Sequence, residues 1–138
     1  MRSELEAWCE SYVTAFSAYD PEAIARHWAF PALTTQAGRS FAFKSAEHFA
    51  SNTGLLLGFY REQNVDRAIR RVKDVLRMSD AAICMTVEDA MLDPSGDVIA
   101  TWQASYVMQK HAGDWKAIMA VADGEVRAWA DRGTPLGG

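Results

Sequence analysis

The spacing of apolar residues divides this chain of 138 residues into a mainly helical half and a strand half. Up to about residue 63, apart from an extended segment at residues 31–43, the apolar positions recur every three or four residues, which is the period of an amphipathic helix. From Arg67 onward they alternate with polar positions, which is the period of a strand with one buried face. This order predicts an α+β domain with an antiparallel sheet in its second half.

The first half is predicted to hold three helices. The first has a single apolar stripe, formed by Leu5, Trp8, Tyr12, Phe16 and Tyr19. A second, short helix begins at Asp20-Pro21, because aspartate caps exposed backbone N–H groups and proline fits the first helical position. We expect that helix to end just before Pro31. The third helix begins after Ser45 and runs to about Gln63.

The remaining segments are predicted to be strands. A short hairpin is expected around Gly38, pairing residues 32–35 with residues 41–43. Turn residues then delimit four long strands: Arg67–Met78, Ala81–Leu92, Asp97–Lys110 and Asp114–Ala122. Strands of this length coil, so the sheet should be strongly curved, a cone or half-barrel whose concave side is covered by the three helices. We expect one domain at residues 1–124, followed by a frayed C-terminal tail at 125–138.

Charge and composition exclude several classes of protein. The formal net charge is −4, which argues against a nucleic-acid partner because phosphates attract a basic surface. The basic run between Arg67 and Arg77 is interpreted as a solvated strand face. No apolar stretch is long enough to cross a bilayer, so we expect a cytoplasmic protein with no membrane partner. The two cysteines, Cys9 and Cys84, lack metal-binding spacing and are interpreted as reduced core residues.

Four features together resemble the nuclear transport factor 2-like superfamily, which includes SnoaL-like cyclases and ketosteroid isomerase. They are the aromatic first helix, Asp20-Pro21, Ala29-Phe30-Pro31 and the turn Gly113-Asp114-Trp115-Lys116, and the resemblance covers about residues 3–122. It implies a cystatin-like cone whose open end holds a small, mostly apolar pocket. It also implies a homodimer formed through the sheet, a small apolar ligand, and no cofactor.

The resemblance does not carry over a known set of catalytic residues. Tyr12 can occupy the position of the helix tyrosine of ketosteroid isomerase, but the segment Gln36–Phe43 offers no carboxylate to serve as its base. The histidine found near the end of the closing strand in many SnoaL-like cyclases is absent from Met119–Asp123. Neither of these two chemistries is therefore predicted from the family alone.

Alternation supplies an independent candidate, because it places some carboxylates on apolar strand faces. Asp89 shares its face with Ile83, Met85, Val87 and Met91. A carboxylate facing an apolar cavity has its charged form disfavoured, which raises its pKa toward that of a general acid or base. A β-bulge would reverse the parity and place Glu88 inside instead. Asp74 and Asp123 are weaker candidates of the same kind, explained equally well by an ion pair and a turn.

The predicted site combines Asp89 and Tyr12 as the proton-transfer pair. The residues expected to line the pocket around them are Phe16, His27, Trp28, Trp102, Tyr106 and Met119. His27 has a competing interpretation as a histidine that stabilises the end of a helix. No histidines, cysteines or carboxylates have the spacing of a metal site, so no metal is predicted.

The sequence is compatible with two functions. The first is an enzyme or binder with a small-molecule pocket, acting by acid/base isomerisation, cyclisation or dehydration on an apolar compound. The second is a non-catalytic dimerisation or ligand-binding accessory module, with a cavity filled by its own aromatic rings. Whether the chain is an enzyme is not decided by its sequence.

Overall fold

The computed structural model describes residues 1–136 and contains, within them, helices α1–α4 and strands β1–β6. The helices are α1 Arg2–Ser17, α2 Pro21–Ala25, α3 Ala46–Glu62 and α4 Asp123–Asp131. The strands are β1 Trp28–Gln36, β2 Arg39–Phe43, β3 Arg67–Arg77, β4 Ala82–Leu92, β5 Val98–His111 and β6 Asp114–Val121. The predicted α+β class is confirmed.

The six strands form one curved, unclosed sheet in the order β2-β1-β6-β5-β4-β3. Every neighbouring pair is antiparallel except β1 and β6, which run parallel. Parallel neighbours need a long crossover connection. Here β2, α3 and the strands β3–β5 supply it. The hairpin and the four-stranded meander of the sequence analysis are therefore joined into a single sheet.

The second helix is shorter than predicted. It ends at Ala25, and Trp28 already opens β1 instead of closing the helix. From there Trp28 and Ala32 are buried at spacing four, as alternation along a strand requires. Pro31 lies inside this strand rather than before it, after a cis peptide bond.

The prediction of a frayed tail after Gly124 is wrong for the residues that form α4. The indole of Trp129 is fully buried, and its ring centroid lies 5.1 Å from that of Phe59 and 5.8 Å from that of Trp102. Gly124 permits this packing, because a Cβ at that position would collide with the backbone carbonyl of Gln103. Gly137 and Gly138, the end of the predicted tail, lie outside the described residues.

Of the four register shifts among the described strands, two change which of the candidate side chains face inward. In β6 the register against β5 shifts between Ala117 and Met119, so that Ile118 is the extra residue. In β3 the register against β4 shifts at Lys73. Strict alternation therefore assigns side chains to the correct face of the strand before each bulge and to the opposite face after it.

Candidate functional site

A small interior cavity of about 50 Å³ lies between the concave face of the sheet and the helices α1, α3 and α4. This volume has room for on the order of four water molecules. Its apolar lining includes Phe16 and Trp102. Its polar lining consists of Tyr12, Tyr60, Arg70, Asp89, Tyr106 and Glu125. A polar group is costly to bury unless it is hydrogen-bonded, so each of these six side chains needs a physical account.

Asp89 and Arg70 form an ion pair inside the protein. They are direct cross-strand partners on β4 and β3, so their side chains leave the sheet side by side. Arg70 Nε donates to Asp89 Oδ1 at 2.6 Å, and Nη2 donates to Oδ2 at 2.8 Å. Each side chain is only 5% exposed. Both oxygens of Asp89 are thus engaged by one guanidinium, which does not leave the carboxylate free as a base.

Two tyrosine rings enclose the Arg70 guanidinium. Its Cζ lies 5.0 Å from the ring centroid of Tyr12 and 4.7 Å from that of Tyr106, both within cation–π range. Nη2 also donates to the Tyr106 hydroxyl at 2.8 Å. Burial lowers the pKa of Arg70, but the charge and hydrogen bonds of Asp89, together with Tyr106 and Tyr12, outweigh it and hold that pKa above its ordinary value. Arg70 is therefore a fixed positive charge.

Two tyrosine hydroxyls supply hydrogen-bond donors to the cavity. Arg70 Nη1, by contrast, is buried without a hydrogen-bond partner among residues 1–136 and has no surface open to the cavity. The Tyr106 hydroxyl accepts from Arg70, and the Tyr12 hydroxyl accepts from Trp28 Nε1 at 3.0 Å, so the hydrogen of each hydroxyl is available to donate. Burial raises the pKa of both tyrosines, which keeps those hydrogens in place.

Glu125 is the second carboxylate of the cavity, and no lysine, arginine or histidine of residues 1–136 forms an ion pair with it. Its Oε2 accepts hydrogen bonds from the Tyr60 hydroxyl and, at 3.2 Å, from Trp129 Nε1. Burial raises the pKa of the Glu125 carboxyl to about 7, against the two hydrogen bonds, which lower it. The residue is partly exposed as a whole, but this carboxyl oxygen points at the buried Tyr60 and Trp129. Glu125 is therefore poised to change charge near neutral pH.

Five of the eight predicted site residues line this cavity: Tyr12, Phe16, Asp89, Trp102 and Tyr106. Asp89 is 4% exposed and points to the inner side of the sheet, as the alternation of apolar and polar residues predicted. Its neighbour Glu88 faces outward and pairs with Arg71. The structure thus brings Tyr12 and Asp89 to one cavity, but the pairing of Asp89 with Arg70 was not predicted.

The other three predicted residues lie elsewhere. Met119 follows the bulge in β6 and pairs with the outward-facing Val107, so it points away from the cavity. His27 does not line the cavity, because its ring bridges α1 and α2: Nδ1 lies 2.8 Å from Ala23 O and Nε2 lies 2.7 Å from Ser11 Oγ. This agrees with the alternative interpretation of His27 as a structural residue, and burial lowers its pKa.

Trp28 lines a different concavity. A surface groove of about 560 Å³ runs between α2 and α3, with Trp28 and Phe30 of β1 at its base and Glu22 and Glu47 on its sides. Trp28 Nε1 points the other way and donates to Tyr12. The tryptophan therefore separates the groove from the donors of the interior cavity.

The two weaker acidic candidates are outside the cavity. Asp74 comes directly after the bulge at Lys73, which turns it to solvent, and its Oδ1 accepts from its neighbour Val75 N at 3.0 Å. Asp123 is exposed in the first turn of α4, where a negative charge is favoured by the helix dipole.

Two functional candidates, Arg70 and Glu125, were missed by the sequence analysis. Arg70 was grouped with the basic run, although its alternation with Ala68 and Val72 places it on the inward face. Glu125 was assigned to the tail. The signal for it was the spacing of four residues between Glu125 and Trp129, which places both on one face of a helix.

No group of three or more metal-ligating side chains stands together anywhere in residues 1–136. Within the same residues, none of the helices has the length and apolar character needed to span a membrane.

A curved, unclosed six-stranded sheet with helices against its concave side and a small interior cavity defines the class of NTF2-like α+β proteins. This chain belongs to the family described as NTF2-like protein (DUF6841), which matches residues 3–125. The resemblance drawn from the sequence is thereby confirmed. The match extends into the first turn of α4 and includes Glu125.

Solved structures show the same fold. A ketosteroid isomerase-like protein from Erwinia carotovora atroseptica is 20% identical, with a TM-score of 0.61 over 86% of this chain and 92% of that one. A domain of unknown function with a cystatin-like fold from Nostoc punctiforme is 17% identical, with a TM-score of 0.66 over 87% and 74%. An NTF2-like protein with a cystatin-like fold from Novosphingobium aromaticivorans is 14% identical, with a TM-score of 0.65 over 94% and 86%. Comparison with curated proteins gave no match.

Proposed function

We propose that this chain is a small-molecule pocket protein that transfers protons in its interior cavity, with Glu125 as the proton-carrying group. The observation that supports this most directly is the carboxyl of Glu125, which lines the cavity with a pKa of about 7. A general acid or base works best when its pKa lies near the working pH. The reaction classes that fit are isomerisation, cyclisation or dehydration of a small oxygen-bearing compound.

The donors of the cavity supply the other half of such a reaction. The ionised Glu125 takes a proton from a carbon next to a carbonyl group, and the electron pair of that C–H bond forms the enolate. The negative charge that develops on the carbonyl oxygen is stabilised by the hydroxyls of Tyr106 and Tyr12, each of which has a hydrogen to donate. Return of the proton from Glu125 to the same or a neighbouring carbon completes exchange or isomerisation.

The first step can be tested without the natural substrate. Acetone in deuterated water exchanges its hydrogens for deuterium through its enolate, and proton NMR follows the exchange. The purified protein should accelerate this exchange at pH 8, and Glu125→Gln should lower the protein-dependent rate by at least about 100-fold. Glu88→Gln, on the outward face of β4, is the matched control and should keep it. Equal rates for the wild type and Glu125→Gln would refute the proposal.

The second candidate function is a non-catalytic module that dimerises through the sheet. It is supported by the small and polar side chains that β4 and β5 turn away from the cavity, among them Thr86 and Ser105, whose hydroxyl oxygens lie 3.2 Å apart. Analytical ultracentrifugation tests it. Ser105→Arg should convert a sheet-mediated dimer to a monomer, and Glu4→Arg, exposed on α1, should not. A wild-type monomer would exclude this candidate.

A further inference from the structure

One oxygen of the Glu125 carboxylate is free to accept a hydrogen bond. Oε2 is taken by the Tyr60 hydroxyl and by Trp129 Nε1. Oε1 accepts no hydrogen bond from any of residues 1–136, and it keeps exposed surface. Glu125 lines the cavity, so Oε1 is the acceptor that it offers to a molecule inside. The ligand that fits this oxygen is one that donates hydrogen bonds.

The charge of the neighbouring ion pair does not oppose a cation at this position. Arg70 Nε and Nη2 donate to Asp89 and Tyr106, and Nη1 has no surface open to the cavity. At Glu125, the charge of Asp89 raises the pKa by more than the charge of Arg70 lowers it. The pair therefore adds a net negative potential there. An ionised Glu125 is uncompensated, and a bound cation would offset the cost of burying its charge.

Arg70 is the one cation that faces Glu125 from the described elements packed around α4. The ionisable groups that face it are Tyr60 from α3, Arg70 from β3, Asp89 from β4 and Tyr106 from β5. Burial raises the pKa of both tyrosines, so they stay neutral. The strand β1, which also contacts α4, has no ionisable side chain. On α4 itself, Arg127 is exposed and lies 3.8 Å from Asp131.

Aromatic rings beside the partners of Glu125 favour the same class of ligand. Phe16 and Trp102 both line the cavity. The ring centroid of Phe16 lies 6.0 Å from that of Tyr60, and the ring centroid of Trp102 lies 5.8 Å from that of Trp129. The face of an aromatic ring attracts a cation, and rings grouped around a small space are a known way to recognise an organic ammonium. The carboxylate and the rings therefore select for the same charge.

We propose that the cavity binds small organic cations that carry N–H groups, an amidinium or a primary ammonium, through the ionised carboxylate of Glu125. The volume of about 50 Å³ limits the ligand in this closed form to a few non-hydrogen atoms. The cation occupies the carboxylate that the proposed function uses as a base, so it inhibits proton transfer. The inference rests on the proposed function in one respect, that the same cavity admits small molecules.

The test compares acetamidinium with acetamide, which is nearly isosteric and uncharged. Isothermal titration calorimetry or ligand-observed NMR measures both affinities from pH 5 to pH 8, where acetamidinium is charged throughout. Acetamidinium should bind at least about tenfold more tightly than acetamide at pH 8, as expected for hydrogen bonds to a charged group. Below pH 7 its affinity should fall by about tenfold per pH unit, because binding then displaces a proton from Glu125. Acetamide affinity should change little across the same range.

A variant identifies the carboxylate responsible. Glu125→Gln should lower acetamidinium affinity at pH 8 by at least about tenfold and remove its pH dependence. The glutamine keeps an acceptor for Tyr60 and Trp129, so the contacts of α4 are retained. Glu88→Gln is the matched control, because Glu88 faces outward and pairs with Arg71, and it should bind acetamidinium as the wild type does.

A second measurement reports on the carboxylate directly. In a ¹³C NMR titration, saturating acetamidinium should lower the pKa of Glu125 by at least about one pH unit, because a bound cation favours the charged form. Acetamide at the same concentration should leave that pKa near its value in the free protein. A pKa that acetamidinium does not lower would contradict pairing with Glu125.

The results separate the inference from the proposed function. Acetamidinium that binds no more tightly than acetamide at pH 8, or equally well at pH 5 and pH 8, would overturn the cation inference. Acetone exchange that depends on Glu125 would in that case leave the proposed function standing. Acetamidinium binding that depends on Glu125, without acetone exchange, would support the inference and refute the proposed function. Failure of both ligands to bind, with no Glu125-dependent exchange, would refute the two together.

Discussion

The cavity contains two carboxylates in contrasting environments. Asp89 on β4 has both oxygens bound by the guanidinium of Arg70 on the edge strand β3. Glu125 on α4, among residues 1–136, accepts hydrogen bonds only from the neutral donors of Tyr60 and Trp129. A neutral hydrogen bond offsets part of the cost of burying a charge, whereas a full opposite charge offsets much more. The charge of the first carboxylate therefore has a cation beside it, whereas the second carboxylate can gain or lose a proton near neutral pH.

The two environments suit the two carboxylates to different roles, structural for Asp89 and chemical for Glu125. A carboxylate that is locked to a buried cation holds two strands and a donor in place, but it is a poor proton carrier. A carboxylate with neutral partners is less stable in its charged form, and that instability is what brings its pKa to about 7. The alternation of β4 predicted Asp89 as a proton-transfer residue. In the proposed function Glu125 takes that role, because Asp89 is bound to Arg70.

The largest expected effect is the loss of folding stability when the buried Arg70–Asp89 ion pair is broken from one side. Asp89→Asn leaves the Arg70 guanidinium buried beside a neutral amide, and breaking a buried pair from one side costs about 3–5 kcal/mol. Urea unfolding at pH 7 measures the change in the free energy of unfolding. Glu88→Gln is the matched control on the same strand. It breaks the exposed Arg71–Glu88 pair at 3.0 Å and should cost at most about 1 kcal/mol.

Equal costs for the two variants would contradict the assignment of Arg70–Asp89 as a buried charge pair. The double variant Arg70→Met/Asp89→Leu sharpens the test. It should recover most of the stability lost in Asp89→Asn, because replacing both members of a buried pair by apolar side chains is often neutral.

The next effect depends on pH. The folded-state pKa of Glu125 is raised from 4.5 to about 7, so the wild type loses stability as the pH rises through that range and reaches a constant cost above it. Glu125→Gln keeps an acceptor for Tyr60 and Trp129 but carries no charge. Its free energy of unfolding should equal that of the wild type at pH 4 and exceed it by up to about 3 kcal/mol at pH 8. A difference that does not depend on pH would show that Glu125 does not titrate in this range.

Sequence patterns were sufficient for the architecture and for the inward side of β4. Asp89 was found because Ile83 through Met91 alternate without interruption. The bulges in β3 and β6 were not visible, since an extra residue such as Ile118 leaves no mark on the apolar pattern. Met119 was therefore placed on the wrong face.

The candidate site was harder to predict because its key contacts are between elements far apart in the chain. The hydrogen bond from Tyr60 to Glu125 spans 65 residues, and that between Arg70 and Asp89 spans 19. The mostly polar, Gly- and Pro-ended C-terminal segment hid α4 from the sequence analysis, although Trp129 is the anchor that buries it. Local patterns indicate which side a residue faces, but they do not identify its partner.

The smallest effect isolates one hydrogen bond of Glu125. Tyr60→Phe removes the hydroxyl that donates to Oε2, and because that bond favours the charged carboxylate, its loss should raise the pKa of Glu125 by roughly one pH unit. The side-chain carboxyl signal in a ¹³C NMR titration reports the pKa directly. Tyr19→Phe should leave it unchanged, because that hydroxyl bonds to Val65 O. A pKa that stays near 7 in Tyr60→Phe would mean that the Tyr60 hydroxyl does not stabilise the charged form, and that the Trp129 indole and the more distant charge of Arg70 do so instead.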